Sequence, residues 1–234
     1  MSETAKKPQQ RAAAERRWPA AIAIMVALAL YVLLPSTFTP WLRYTAAAIA
    51  VGMLVPLIFL NPAQLMRQTR WSRVLSVGLG ILLVVANQIA LGQLVMQLTS
   101  ASKESGPPLL LAALQVWVTN VIAFAVLYWE LDRGGPVARR RDDRKNLQPA
   151  DFRFPQDEDH DTIDEVRARS SAKSDWMPGF LDYLYFSGSD SMAFSPTDAM
   201  PLSARAKMLM LFEAFAGFVI LALVIARAVS LLGS

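Results

Sequence analysis

Cysteine is absent from this chain of 234 residues, which excludes disulfide bridges, thiolate catalysis and any metal held by sulfur. Histidine occurs once, at His160, and no Ser/His/Asp order, HExxH, P-loop or dinucleotide glycine pattern is present. An enzyme is therefore not expected, and neither is a cofactor. His160 stands among Asp157, Glu158, Asp159 and Asp161. Carboxylate oxygens suit hard cations, but the spacing is not that of an EF-hand, so the run reads as a solvated charged segment and not as a metal site. Long polar stretches able to build a soluble domain are also scarce.

What the chain has instead is apolar residues, 54% of the total, gathered in long runs. This composition gives the fold class: an all-α integral membrane protein. A basic segment over 1–17 precedes four apolar runs at about 18–34, 44–60, 74–98 and 108–129, and a fifth helix follows at about 203–232. Each approaches the roughly 20 residues that cross about 30 Å of hydrocarbon, so five transmembrane helices are expected. Trp18, Trp41, Trp71, Trp129 and Trp176 stand near the ends of apolar runs, where an aromatic belt belongs. The connector over 131–177 is polar and charged, with ARRRDDRK followed by QDEDHDTIDE. It reads as extended or partly disordered, with Phe152 and Phe154 of PADFRFPQ available to dock on the membrane surface or on the helices.

The net charge of +4 comes from clusters at the edges of the apolar runs, which indicates a membrane surface as partner and not nucleic acid. The N-terminus, the segment with Arg67, Arg70 and Arg73, and the connector with Arg139, Arg140, Arg141, Arg144 and Lys145 are the basic loops. Five crossings put all three on one side, so the N-terminus is expected in the cytoplasm. The alanine-rich and arginine-rich style fits a bacterial inner membrane.

The stretch over 178–234 has its own layout. A short aromatic helix, FLDYLYFSGSD, precedes a turn made of Ser191, Met192, Ala193, Phe194, Ser195, Pro196, Thr197 and Asp198, and a long apolar helix returns. That order is the order of a re-entrant segment, in which non-helical backbone lies at membrane depth shielded by protein or water. Leu184, Tyr185, Phe186 and Ser187, then Asp198, Pro201, Lys207, Glu213 and Gly217 follow without a gap, and in that order they resemble the pore module of potassium channels. The resemblance implies a pore helix, a loop and an inner helix with Gly217 as hinge, Asp198 hydrogen-bonding behind the loop, and a homotetramer around one axis. It covers under a quarter of the chain. Where the family carries Gly-Tyr-Gly this chain carries Ser195, Pro196 and Thr197. Pro196 fixes φ and removes a donor, so a queue of carbonyls selective for potassium is not expected. In the family the loop enters from outside, opposite to the direction that the basic loops give here; for topology the charge count is preferred.

Polar groups inside the runs complete the candidates. Asn87, Gln88, Gln93 and Gln97 sit in the third run, Gln115, Thr119 and Asn120 in the fourth. They serve either interhelical hydrogen bonds or a polar lining. Glu213 is an intramembrane acid, by default a functional position, unless Arg205 or Lys207 pairs with it. The expected function is an ion-channel-like membrane protein that conducts or binds an ion or small solute as an oligomer. The alternative is a non-conducting scaffold or accessory subunit whose Arg139, Arg140 and Arg141 face anionic lipid or a partner.

Overall fold

The computed structural model describes residues 15–35, 38–60, 69–100, 106–158, 163–193 and 199–232. Its helices are α1 (Trp18–Val32), α2 (Pro40–Leu60), α3 (Arg70–Ser100), α4 (Gly106–Leu131), α5 (Pro136–Arg141), α6 (Asp164–Arg167), α7 (Ser171–Ser174), α8 (Phe180–Ala193) and α9 (Ala204–Leu232). Two short strands, β1 (Phe152–Arg153) and β2 (Met200–Pro201), pair antiparallel. The helices α2, α3, α4 and α9 are long and apolar enough to cross a bilayer. The first apolar run forms a helix of only 15 residues. It ends at Val32 because Pro35 follows closely, and the residue ahead of a proline is pushed out of the helical region.

Contacts at the helix ends fix the direction of each rod. Arg17, just ahead of α1, donates to the carbonyl of Leu57 near the end of α2. Arg73, in the first turn of α3, pairs with Glu130 at the end of α4 at 3.2 Å, and Arg205 at the start of α9 pairs with Asp151 in the connector. At the opposite end the Tyr31 hydroxyl of α1 reaches the Ala86 carbonyl of α3 at 3.4 Å, and the Thr39 amide ahead of α2 donates to Gln93 of α3 at 3.1 Å. Successive long helices therefore run antiparallel. The start of α1, the end of α2, the start of α3, the end of α4 and the start of α9 share one end of the bundle, the connector end. The three basic loops of the sequence flank these points.

The connector differs from its expectation as an extended strip without a core. After α4 the chain reverses through Arg133, Gly134 and Gly135, at φ 50°, 82° and 93°. The two glycines adopt such angles freely, and Arg133 is held there by Asp132, Asp157 and the Phe152 carbonyl. Phe152 and Phe154 are buried and Arg153 between them is exposed, the alternation of a strand. Both rings dock on the helices. Phe152 meets Tyr128 edge-on at 5.0 Å and Phe186 at 5.1 Å, and Phe154 meets Tyr183 at 5.4 Å. This aromatic nucleus joins α4, α8 and the connector, and each such edge-to-face pair contributes roughly 0.5–1.5 kcal/mol beyond its buried area. Trp129 also departs from the belt expected of it: its ring packs inside on Phe180, while Trp18, Trp41 and Trp71 remain exposed.

Small residues set the helix spacing. A methyl group on Gly80 of α3 would touch the Leu127 backbone of α4 at 3.3 Å, and one on Gly217 of α9 would lie 2.5 Å from the Ser191 carbonyl oxygen of α8. The position expected as a hinge is thus a point of close helix approach. Since the obstructing atom is backbone, Gly217→Ala is expected to lower stability by about 1–3 kcal/mol. Gly52→Ala, with nothing within 4 Å of the added methyl, is expected to leave it unchanged. Thermal melts of the two variants in mild detergent check this contrast.

Candidate functional site

Helix α8 is the element that builds the site. Its buried stripe runs Phe180, Tyr183, Phe186, Ser187, Asp190 and Ser191, the spacing of an amphipathic helix facing a core. The stripe changes character halfway: aromatic over the first two turns, polar after Ser187. The helix start is held at the connector end. Asp182 accepts from the Gly179 amide at 2.7 Å, and Glu15 accepts from the Phe180 amide at 2.7 Å and from the Trp129 indole at 3.0 Å. The helix continues through Ala193, so Ser191, Met192 and Ala193, read from sequence as loop, are helical. No breaker precedes Pro196, and Ser191 is engaged from its helical position. Phe194, Ser195, Pro196, Thr197 and Asp198 lie outside the described residues.

The polar half of α8 meets Glu213, which is 0% exposed. The Tyr128 hydroxyl of α4 donates to Glu213 Oε2 at 2.6 Å. Ser187 Oγ contacts Glu213 Oε1 and also lies 2.8 Å from the Val121 carbonyl oxygen of α4. Ser191 Oγ completes the group at 3.3 Å from Oε1. Two helices, α4 and α8, thus converge through hydroxyls on one carboxyl group of a third, α9. Arg205, weighed from sequence as its salt-bridge partner, is instead bound to Asp151. Asp190 is 4% exposed, and its Oδ2 has no hydrogen-bond partner.

A second polar group closes the connector end. Asp132, fully buried, accepts from the Asp151 amide at 2.7 Å, the Tyr183 hydroxyl at 2.6 Å and Arg133 at 3.2 Å. Arg139 is 2% exposed, donates to the Trp129 and Asp132 carbonyls at 2.8 Å each, and lies over the Tyr183 ring at 5.1 Å. The expectation that Arg139 faces lipid is thereby corrected. Successive residues of α5 point about 100° apart, so only one arginine can face the core: Arg140 is half-buried and donates to the Met177 carbonyl, and Arg141 lies exposed beside Asp142.

The intramembrane amides divide cleanly. Asn120 Oδ1 accepts from Asn87 at 2.8 Å and from Gln88 at 3.1 Å, and Thr119 donates to Asn87 at 2.6 Å. These join α3 to α4, an arrangement worth about 0.6 kcal/mol per contact on average. Gln93 holds the Thr39 amide. The side-chain oxygen of Gln115 is buried without a partner.

Tyr128 and Asp132 were not legible as site residues, and Ser187 was legible only as part of the pore-helix resemblance. A tyrosine near the end of an apolar run reads as belt, and a serine on an aromatic helix carries no signal of the acid it will meet 26 residues later. No known family model matches this chain, and no curated protein and no solved structure is detectably similar to it.

Burial pushes the Glu15 carboxyl above the ordinary range, partly opposed by Arg139 and by the Phe180 amide. A carboxyl raised in the folded state stabilises below its unfolded value, and that contribution is lost as pH climbs through the folded value. Thermal stability is therefore expected to fall as pH rises from acid toward neutral, and Glu15→Gln to reduce that slope; tryptophan-fluorescence melts across pH measure it.

Proposed function

We propose that this chain is a five-crossing membrane protein in which α8 and the residues after it form a re-entrant, channel-like module that binds or passes an ion or small solute. The observation that carries the reading is the depth that α8 reaches. Ser187 rests on Val121, ten residues before the last residue of α4, which at 1.5 Å per residue is about 15 Å below the connector end. Ser191 rests on Gly217, thirteen residues into α9 and so about 20 Å down. Yet both ends of the module lie at the connector end: Phe180 beside Trp129, and Met200 paired with Arg153. From Ala193 to Ala199 there are six residue steps, which at about 3.3 Å each reach about 20 Å, enough to return from that depth.

A re-entrant module of this kind needs protein or water around any non-helical backbone at membrane depth. The degenerate Ser195-Pro196-Thr197 favours a solute other than potassium. A pore built from this module requires several copies around an axis, a homotetramer if the channel resemblance extends to assembly. The basic residues at the connector end favour a cytoplasmic location for it in a bacterial inner membrane.

Two measurements test the proposal. Because the chain carries no cysteine, single cysteines at Met192 and Leu202 can each take a fluorophore, and quenching by nitroxide-labelled lipid is expected to place Met192 the deeper by on the order of 15 Å; equal depths defeat the re-entrant reading. Liposomes holding the parent are expected to release a monovalent ion or small solute, with release reduced at least tenfold in Asp198→Ala and Phe194→Ala, as a barrier change of about 1.4 kcal/mol requires. Absence of flux for every solute tried would leave the scaffold reading, with Arg140 and Arg141 rather than Arg139 as its surface charges.

A further inference from the structure

The four contacts around Glu213 have three hydroxyl hydrogens to share between them. Ser187 has a single hydroxyl hydrogen and two acceptors within reach, Val121 O on α4 and Glu213 Oε1 on α9. The Tyr128 hydrogen is directed at Oε2 and the Ser191 hydrogen at Oε1. If Ser187 donates to the carboxylate, its 2.8 Å approach to the Val121 carbonyl oxygen, which the helical ladder of α4 already serves, carries no hydrogen. If it donates to Val121, the contact between Ser187 and Glu213 sets two oxygens together with no hydrogen between them. A proton on Oε1, donated to Ser187, satisfies every contact at once.

Charge leads to the same place. The groups facing Glu213 are Tyr128 and the Val121 carbonyl from α4, and Ser187, Ser191 and Asp190 from α8. No lysine or arginine among the described residues is hydrogen-bonded or ion-paired to it. The second carboxyl group, Asp190, is buried, has an unpartnered oxygen, and is close enough for its charge to be felt at both Glu213 and Tyr128. A carboxylate at this depth without a cation carries a cost of at least several kcal/mol. The hydroxyls of Tyr128 at 2.6 Å, of Ser187 and of Ser191 at 3.3 Å already surround the carboxyl oxygens, so the neutralising species is as small as a proton.

We propose that Glu213 is an intramembrane proton-binding site, and that the bound proton latches the last turns of α8 onto α4 and α9. With the proton present, Glu213 donates to Ser187, Ser187 to Val121, and Tyr128 and Ser191 to the carboxyl group, so one network ties three helices. When the proton leaves to water, the O–H bond of the carboxyl group is broken and a carboxylate remains beside Asp190. Two like charges then share an apolar pocket, and the half of α8 from Ser187 onward separates from α9 to admit water. The latch is independent of whether the module passes a solute: it follows from the contacts of described side chains alone.

The test uses the full chain in lipid nanodiscs. Infrared difference spectra recorded against pH are expected to contain a protonated-carboxyl band that is lost at alkaline pH, absent in Glu213→Gln and retained in Asp190→Asn. A nitroxide on cysteine at Met192 is expected to be immobile at acid pH and to become mobile over the pH range in which the band disappears, whereas Glu213→Gln stays immobile throughout. Tyr128→Phe, which removes a donor that steadies the carboxylate without changing charge, is expected to move the transition toward higher pH while leaving a folded protein, and it serves if Glu213→Gln fails to fold. The proposal is overturned if no such band exists, if the band follows Asp190 instead, or if label mobility is the same at every pH in the parent and in the variant used.

Discussion

A polar group placed deep in an apolar bundle has no water to turn to, so every donor and acceptor there must be met by the protein itself. Glu213 is where this constraint bears hardest. Its carboxyl group is reached by hydroxyls from two other helices, and those hydroxyls decide the rotation of α8 about its own axis and its depth against α4 and α9. An aliphatic side chain at 213 would pack as well with α8 in several positions. A carboxyl group with Tyr128, Ser187 and Ser191 around it accepts one.

The connector end works by the same rule with charges in place of hydroxyls. Asp132, Arg133, Arg139, Asp151 and Arg205 form a plate of mutual bonds across the end of α4, the connector and the start of α9. Several of these pairs are buried, and a buried pair is weak evidence for stability in itself. Their effect is positional. They fix the level at which α8 begins and α9 starts, and the depth of the module between them follows from helix length.

Membrane class and helix directions were legible in the sequence because long apolar runs and the basic residues at their edges are direct consequences of the lipid environment. The interhelical amides were legible as a set, though not in their pairing. What escaped was everything that depends on contacts distant along the chain. The connector looked coreless because few apolar residues interrupt its charges, yet Phe152 and Phe154 suffice when three aromatic side chains of α4 and α8, Tyr128, Tyr183 and Phe186, meet them. Arg139 looked like its neighbours Arg140 and Arg141, and only the register of a short helix separates it from them. The pore-type reading of 178–234 rests on residue order, which carries no information on the contacts that seat Ser187 and Ser191 against α4 and α9.

The docking of Phe152 on Tyr128 and Phe186 bears on how the molecule is made. Tyr128 leaves the ribosome 85 residues ahead of Glu213, and Asp132 leaves 51 residues ahead of Tyr183. The first four long segments can insert and find one another early through the Asn87–Asn120 and Arg73–Glu130 pairs. They then present an unfilled aromatic and acidic face until α8 and α9 arrive. Arrival of α8 and α9 is thus the step that seals the bundle, and a chain cut short before α8 would be left with that face uncovered.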